Sequence, residues 1–513
     1  MKNIKEKIGE LLAGEKFSAT TMSVLLIAVV LVANTVLYTV FSLLGWQISP
    51  ATYEDFSLSG HFDDTMETVG KAGRKVTITF CYPSESEVRD HGTGGYVYRT
   101  AKEFEKRYPD AIEIKYVNIM TGVDSNGDPV DLSKFTKDEN GNEVPIFKTS
   151  VIFEYGGNYK VLTDTTTSAG YSNFYVLDYS ASQTSVIAYN GEEVMTSAIS
   201  WVLAEEHKTA FFTTGHSEII DPAFVDMISM AGYNISTIDL KTVDFDELNE
   251  ADLIIISNPR TDFEASDEDT TARSETDRLE YYLEKGGNLF VMLNSLAKEL
   301  PVLEGVLAER GIALSYAEDG DGNRALNIVR DLSESIVTSG YTIAAGFADN
   351  GYAIDIGGRV DKYSGGRVII GDVTALELSG DAKPILLASP TAELYAHGAA
   401  TNSDGGYAVA AYTTVTGLDG KIGSIFVMPS AQMATTAALI ANGYANKDFV
   451  YSVFEQLYKC EHLPYGTSII SFRDTTLEGL TMGTARIYMA ALMALPACAA
   501  VVGAVILTRR KNR

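Results

Sequence analysis

Cysteine is scarce in this sequence, which limits the chemistry that the chain can support. Three cysteines occur in 513 residues, with no C-x-x-C pair and no Cys/His cluster, so neither a zinc site nor a dithiol redox centre is predicted. Cys498 falls in an apolar run near the C-terminus, which leaves Cys81 and Cys460 elsewhere. Their spacing does not decide between one disulfide and two buried thiols.

Motifs for nucleotide hydrolysis and covalent catalysis are also missing. The P-loop pattern G-x-x-x-x-G-K-[ST] does not occur. No G-x-S-x-G elbow and no cysteine follow the strand NLFVML, where Ser295 is at most a conceivable nucleophile. The loop Asp319–Asn323 resembles a calcium loop, but Arg324 and Arg330 stand where an EF-hand needs glycine and an acid, so a hairpin turn is predicted. No enzymatic activity, cofactor or metal is therefore predicted.

Charge is absent from two long stretches, which predicts two membrane helices. Met22–Trp46 and Ile487–Leu507 contain no Asp, Glu, Lys or Arg, and at about 1.5 Å per residue each can cross a hydrocarbon core of about 30 Å. The first run is too long for a signal peptide and is read as an uncleaved anchor. Lysine and arginine cluster outside both runs, before the first and at 509–513 after the second. This bias predicts cytoplasmic termini and an extracytoplasmic body.

Basic residues are few relative to acidic ones. The chain has 40 Lys and Arg against 68 Asp and Glu, a net charge of −28. The predicted extracytoplasmic body is more acidic still, because both termini are basic. Such a field repels nucleic acid and anionic lipid headgroups, so neither is predicted as a ligand. Solubility or a cationic partner are the two interpretations of this charge.

The order of apolar patterns predicts an α/β body in two parts. The first part has strands at Lys75–Tyr82 and Ile112–Val117 around a helix at Tyr96–Tyr108, then a hairpin at Thr149–Leu162. This order is compatible with a thioredoxin-like domain without the redox cysteines. Gln47–Gly73 is polar and is interpreted as a linker near the membrane.

The second part alternates strands and helices, which predicts a doubly wound, flavodoxin-like sheet. It begins with a helix at Gly191–His207, whose apolar face includes Trp201. A helix at Asn446–Cys460 is expected to pack back on the sheet. The remaining predictions are strands at Thr209–Thr213, Ile235–Leu240, Ala251–Ser257, Asn288–Leu293, Arg367–Ile370, Ile385–Ala388, Tyr407–Tyr412 and Gly423–Met428, with helices at Asp221–Ala231, Thr271–Lys285 and Pro301–Arg310.

These predictions divide the chain into seven segments. They are a cytoplasmic tail (1–21), a transmembrane helix (22–46), the linker with the thioredoxin-like domain (47–190), an amidotransferase-like α/β domain (191–460), a juxtamembrane segment (461–485), a second transmembrane helix (486–508) and a cytoplasmic tail (509–513).

Several stretches resemble the GldG family, the gliding-motility-type auxiliary proteins of ABC transporters. Tyr189–Glu218 is similar to that family's "GEQALTSAI … GHGE" segment, and ADLIIISNP, LEYYLEKGGNLFVML, ILLASP and NKDFVYSVFEQL match further along in the same order. The resemblance implies a membrane-tethered ectodomain beside an ABC-2-type permease and its cytoplasmic ATPase, without an established catalytic activity. Ser217 departs from the family pattern, which usually has a second glycine there.

The turn Gly215-His216-Ser217-Glu218 is the candidate ligand-binding site. It follows a predicted strand, and strand-to-helix turns are where doubly wound sheets place ligands, so His216 and Glu218 would serve as a base and its partner. The other interpretation is structural: Ser217 caps the following helix and Glu218 favours its positive end.

The predicted membrane helices carry possible packing positions. Asn34 is a polar residue near mid-membrane, and Ala499 with Gly503 gives small-xxx-small spacing. Both features suit contact with the other helix or with a permease, although small residues are common in membrane helices.

Two functions remain open from the sequence. The first is a non-enzymatic auxiliary subunit of an ABC-2-type transport complex, with an extracytoplasmic domain that binds or gates a ligand. The alternative is a membrane-tethered ectoenzyme or glycan-binding protein that uses the turn at His216–Glu218.

Overall fold

The computed structural model describes most of the chain between the two predicted membrane helices. The described residues are 56–59, 61–137, 143–163, 173–178, 185–266, 273–294, 298–441 and 443–472. Both predicted membrane helices, with Asn34, Ala499 and Gly503, lie outside these ranges, as does Ser295. Within the described ranges, no helix combines the length and apolar character needed to span a membrane.

The N-terminal half is built on a five-stranded mixed sheet. Its elements are α1 (Asp63–Lys71), β1 (Val76–Phe80), α2 (Glu85–Arg89), α3 (Gly92–Arg107), β2 (Ile112–Asn118), β3 (Val123–Asp124), a 3₁₀ turn (Leu132–Phe135), β4 (Ser150–Tyr155), β5 (Asn158–Thr163), β6 (Tyr175–Asp178), β7 (Ser185–Tyr189) and α4 (Gly191–Leu203). The sheet order is β3-β2-β1-β4-β5, with β1 parallel to β2 and antiparallel to β4. The predicted strand–helix–strand unit and hairpin are therefore confirmed.

The interpretation of Gln47–Gly73 as a linker is wrong where α1 forms. Met66 and Val69 lie three residues apart and are both buried in the N-terminal core, which explains why this polar stretch is helical. The helix is also fixed from outside, because the Arg107 Nε donates to the Asp63 carboxylate at 2.9 Å.

Helix α4 lies at the junction of the two halves. It ends at Leu203, four residues before the predicted end, and nearly all of its residues are buried. Val194, Met195 and Trp201 belong to the core of the N-terminal half. On its other side, the Ser197 hydroxyl donates to the Met230 carbonyl in the following α/β region at 3.0 Å. The helix therefore contributes to both halves.

The second half is organised around a large mixed sheet. Its elements are β8 (Lys208–Thr213), α5 (Pro222–Met230), β9 (Tyr233–Ile238), α6 (Phe245–Leu248), β10 (Leu253–Ser257), α7 (Glu275–Glu284), β11 (Leu289–Met292), α8 (Pro301–Glu309), β12 (Ile312–Leu314), β13 (Tyr316–Glu318), β14 (Arg324–Leu326), β15 (Ile328–Arg330), β16 (Thr342–Phe347), α9 (Gly351–Tyr363), β17 (Val368–Gly371), β18 (Leu376–Leu378), β19 (Lys383–Leu387), β20 (Glu393–Ala396), β21 (Ala399–Asn402), β22 (Ala408–Thr416), β23 (Ile422–Met428), a 3₁₀ turn (Ala431–Ala434), α10 (Thr436–Leu439), α11 (Asn446–Tyr458) and β24 (Ile470–Ser471).

Five parallel strands form the doubly wound part of this sheet. Their spatial order is β9-β8-β10-β11-β23, which is 2-1-3-4-5 in chain order. Alternate residues serve opposite faces: Phe212 and Phe290 enter one core, and Phe211 and Val291 enter the other. Because both faces of the central strands β10 and β11 are covered, these two strands are continuous apolar runs. The predicted parallel sheet is confirmed.

An antiparallel extension enlarges the sheet beyond the prediction. Strand β22 pairs antiparallel with β23, and β19, β16 and β17 continue from it. Strands β17, β19 and β22 were predicted without their pairing partners, whereas β16 was not predicted. The loop Asp319–Asn323 joins the antiparallel pair β13 and β14, so the predicted hairpin turn is confirmed.

The C-terminal helix α11 packs back on the sheet as predicted. Phe449 and Phe454 lie in the same core as Phe290. After the helix, Ile470 pairs with Tyr189, which returns the chain to the N-terminal half.

The two cysteines that the sequence left open do not form a disulfide. Cys81 packs with Phe135 and Ile152 in a small cluster of the N-terminal half, whereas Cys460 lies in the large core of the second half. Burial raises the pKa of the Cys460 thiol to about 11, so this thiol is inert at neutral pH.

Candidate functional site

The predicted turn lies at the switch point of the parallel sheet. Strands β8 and β10 are neighbours, yet α5 packs in one core and α7 in the core on the opposite face. Doubly wound sheets bind ligands in the crevice that opens where successive helices leave in opposite directions. Residues 214–218 follow β8 at this point, and residues 258–261 follow β10.

His216 closes this crevice instead of lining it. The side chain is 2% exposed, and its Nε2 lies 2.8 Å from Oε1 of Glu275, which is 0% exposed. The other Glu275 oxygen accepts a hydrogen bond from the Glu264 amide at 2.7 Å. The imidazole also stacks on the Phe263 ring, with centroids 4.0 Å apart. The arrangement fastens β8 to the segment after β10 and leaves the imidazole buried.

The rest of the turn also makes internal contacts, except that Glu218 Oε1 is buried and accepts no hydrogen bond from the described residues. Glu218 folds back to accept a hydrogen bond from the His216 amide at 2.9 Å. The His216 carbonyl accepts from the Arg260 and Thr261 amides at 2.8 and 3.2 Å. The structure therefore brings Gly215, His216, Ser217 and Glu218 together in one turn, and adds Glu275, which the sequence did not single out.

The prediction that Ser217 caps the next helix is wrong. Asp221 is the cap of α5, because its Oδ1 accepts a hydrogen bond from the Ala223 amide at 2.9 Å. Ser217 instead has a left-handed backbone with φ of 55°. This conformation favours glycine, so the serine is strained at this position.

A separate cavity of about 660 Å³ lies between the two halves of the chain. Strands β5 and β6 and helix α4 form one side, and helices α5, α10 and α11 contribute to the other. Much of the lining is apolar: Val161, Leu162, Val194, Met227, Leu439 and Ile469. Its volume falls within the range of about 300–1,000 Å³ typical of small-molecule sites.

Glu193 is the centre of a buried polar network on the wall of this cavity. It is 1% exposed, and its carboxylate accepts hydrogen bonds from Asn190 Nδ2 at 2.5 Å and from the Tyr451 hydroxyl at 2.5 Å. Lys447 Nζ lies 3.2 Å from the same carboxylate. The Lys447 ammonium also donates to the Thr467 carbonyl at 2.9 Å. Burial, together with the Glu193 charge, raises the pKa of Tyr451, so its hydroxyl remains a donor.

Asp226 is a second carboxylate on the cavity wall, and it lacks such partners. It has no hydrogen bond or ion pair with another described residue. Asp226 lines the cavity and is exposed. Desolvation by the neighbouring protein, followed by the charges of Asp221 and Glu193, raises the pKa of Asp226 to about 6.

Asn190 provides a further unused group. It lines the cavity and is 7% exposed, and its Oδ1 accepts no hydrogen bond from the described residues. A buried amide oxygen without a partner costs about 1–3 kcal/mol, so a donor that reached this atom would stabilise the protein.

Sequence reasoning missed Asn190, Glu193, Asp226 and Lys447 as a group. Asn190 and Glu193 lie at the N-terminus of α4, Asp226 lies on α5 and Lys447 on α11, and only the fold brings these distant segments together. One signal was present: the acids Glu192 and Glu193 begin a helix whose other positions are mostly apolar. A charged residue on a buried helix needs a partner, and it marks a polar site or an internal network.

No grouping of three or more His, Cys, Asp and Glu side chains suited to a metal ion occurs in the part of the chain that the structure describes.

Comparisons with known proteins give only distant structural similarity. No protein-family model and no curated protein matches the chain. The mmIFT52 N-terminal domain is similar over 48% of this chain and 96% of its own, with 17% identity and a TM-score of 0.35. A ThuA-like protein from Bacteroides uniformis covers 48% of this chain and 91% of its own, with 14% identity and a TM-score of 0.28. PurLQS from Thermotoga maritima is similar over 49% of this chain and 99% of its own, with 11% identity and a TM-score of 0.26. Similarities at this level assign no function.

Proposed function

We propose that this chain is a membrane-anchored, non-enzymatic subunit of an ABC-2-type transport complex, related to the GldG family. Its extracytoplasmic body would bind or gate a ligand, while helices at Met22–Trp46 and 486–508 hold it beside the permease. The charge pattern of the sequence and the ordered set of GldG-like stretches support the anchoring and the partners.

The observation that carries the binding role is the cavity between the two halves. It has the volume of a small-molecule site, a largely apolar wall and a few convergent polar groups. We assign the N-terminal sheet to a thioredoxin-like unit and the parallel sheet to a flavodoxin- or amidotransferase-like unit. A ligand between two such units would couple their relative positions, which is how a binding domain can signal to a permease.

The alternative ectoenzyme or glycan-binding function needs an accessible group at the turn. His216 is 2% exposed and is held by Glu275 and Phe263, which disfavours it as a general base. The closed turn instead suits a structural role within a binding subunit.

Co-purification from membranes tests the proposed function. An affinity-tagged full-length chain, extracted in a mild detergent, is expected to retain an ABC-2-type permease and its ATPase, as identified by mass spectrometry. Gly503→Ile should reduce this recovery, because a bulky side chain on the predicted small-residue face prevents close helix packing. Val505→Phe is the control, since two residues of helix turn this side chain about 200° away from Gly503, onto the opposite face. Recovery of neither subunit with the unaltered chain would contradict the proposal.

A further inference from the structure

The cavity between the two halves presents more hydrogen-bond acceptors than the protein itself satisfies. Glu193 already has Lys447, Tyr451 and Asn190 as partners. Asp226 has no such partner among the described residues, and the Asn190 Oδ1 accepts no hydrogen bond there. The exposed Asp226 carboxylate and the buried Asn190 Oδ1 are therefore two acceptors on this wall that no described protein donor occupies.

The charges around the cavity favour a positive ligand. The ionised groups that act on Asp226 are Asp221 and Glu193, and both are acidic. Of the two lysines that line the cavity, Lys447 is bound to Glu193 and Thr467, and Lys160 lies over the Trp201 ring with Nζ 3.7 Å from its centroid. An anionic ligand would add repulsion to the existing acids, whereas a cation would relieve it.

The rest of the wall sets the character of the ligand body. Apolar side chains of β5, α4 and α5 line much of the cavity, including Leu162, Val194 and Met227. Such a surface favours an apolar body that removes it from water. A ligand that is charged throughout would leave this wall without a complementary partner.

We propose that this cavity binds an amphipathic organic cation, a compound with an ammonium head group on a compact apolar body. The ammonium donates to the Asp226 carboxylate and to the Asn190 Oδ1, and the body packs against the apolar wall. The inference rests on the proposed binding role and adds the chemical class of the ligand.

A titration with phenethylamine tests this proposal, because it is an ammonium on an apolar ring at about pH 7.5. The full-length chain in detergent is titrated by calorimetry, with 2-phenylethanol and 3-phenylpropanoate as neutral and anionic comparators. Binding of the amine alone, or at least about tenfold tighter binding of the amine, supports the proposal, since a charge-assisted hydrogen bond of this kind is worth that factor. Equal affinity for the three compounds, or no binding of the amine, overturns it.

Variants locate the binding. Asp226→Asn keeps the shape and removes the charge, so the affinity for phenethylamine should fall at least about tenfold. Asp246→Asn, at an exposed position on α6, is the control and should leave the affinity unchanged. The affinity should also weaken as the pH falls through about 6, because protonation of Asp226 removes the charge that holds the ammonium. An unchanged affinity of Asp226→Asn, with a normal melting temperature, would overturn the assignment.

The outcome can be separated from that of the proposed function. A chain that retains the permease but does not bind the amine overturns the ligand assignment and leaves the transport proposal intact. A chain that binds the amine at Asp226 but retains no permease supports the ligand assignment and contradicts the transport proposal.

Discussion

Two buried carboxylates of this molecule are each held by a basic side chain, yet their surroundings differ. At the switch point of the parallel sheet, Glu275 meets His216, and Phe263 covers the pair. At the junction of the two halves, Glu193 is paired with Lys447. Both residues line a cavity whose wall also includes Asp226. The first pair closes a position where related topologies bind ligands, while the second borders an open space.

This comparison shows why a polar motif at the expected place does not establish a site. The turn at residues 215–218 has the residue types and the location of a ligand-binding loop. Every contact described for His216, however, is internal to the protein. Both places retain buried polar atoms that accept no hydrogen bond from the described residues: Glu218 Oε1 at the turn and Asn190 Oδ1 at the junction. The junction differs because Asn190 borders a cavity of about 660 Å³.

The largest expected effect comes from removing the cation at the junction. Lys447→Met should lower the free energy of unfolding by about 3–5 kcal/mol, because it leaves Glu193 buried with an uncompensated charge. Chemical denaturation of the chain in detergent measures this change. Lys421→Met, at an exposed position, is the control and should stay within about 0.5 kcal/mol of the unaltered chain. A loss for Lys447→Met as small as that of the control would contradict the importance of the pair.

The next effect tests whether the switch-point pair is structural. His216→Ala should lower the free energy of unfolding by about 2–4 kcal/mol. The substitution removes the stacking on Phe263 and leaves Glu275 without its side-chain partner. His397→Ala is the control, because it changes a partly exposed histidine. It should lower the free energy of unfolding much less than His216→Ala does.

The same variant distinguishes the two regions functionally. Recovery of the permease and binding of phenethylamine should both persist in His216→Ala at a temperature where the variant is folded. Loss of ligand binding without loss of folded protein would place the functional site at the turn, contrary to our account.

The smallest effect concerns the backbone of the turn. Ser217→Gly should stabilise the protein by up to about 1 kcal/mol, because Ser217 has a φ of 55° that glycine adopts without strain. Ser339→Gly, at an exposed position whose φ is not positive, is the matched control and should give no gain. A melting temperature that falls for Ser217→Gly would show that the serine side chain has another role.

Much of the fold could be predicted because its strands carry strong local patterns. The continuous apolar run at Ala251–Ser257 predicted a central parallel strand, and the alternation at Ile112–Val117 predicted a strand parallel to the one at Lys75–Tyr82. The antiparallel extension from β22 to β17 was not predictable in the same way, because pairing partners depend on contacts between distant residues.

The candidate cavity was less predictable than the fold for the same reason. Asn190 precedes α4, Asp226 lies on α5 and Lys447 on α11, and no spacing in the chain relates them. Burial and unsatisfied hydrogen-bonding capacity become visible only when the helices are packed. The turn at His216 was predicted in position, but its closure depends on Glu275, which is 59 residues further along the chain.

Carboxyl labelling of the folded chain tests the central claim most directly. Carbodiimide with glycine ethyl ester modifies accessible carboxylates, and peptide mass spectrometry compares Asp226 with Glu275. We expect rapid labelling of Asp226, protection of Glu275, and slower labelling of Asp226 when phenethylamine is present. Labelling of Glu275 with Asp226 untouched would contradict the account, since it would make the switch point the open site and the junction the closed one.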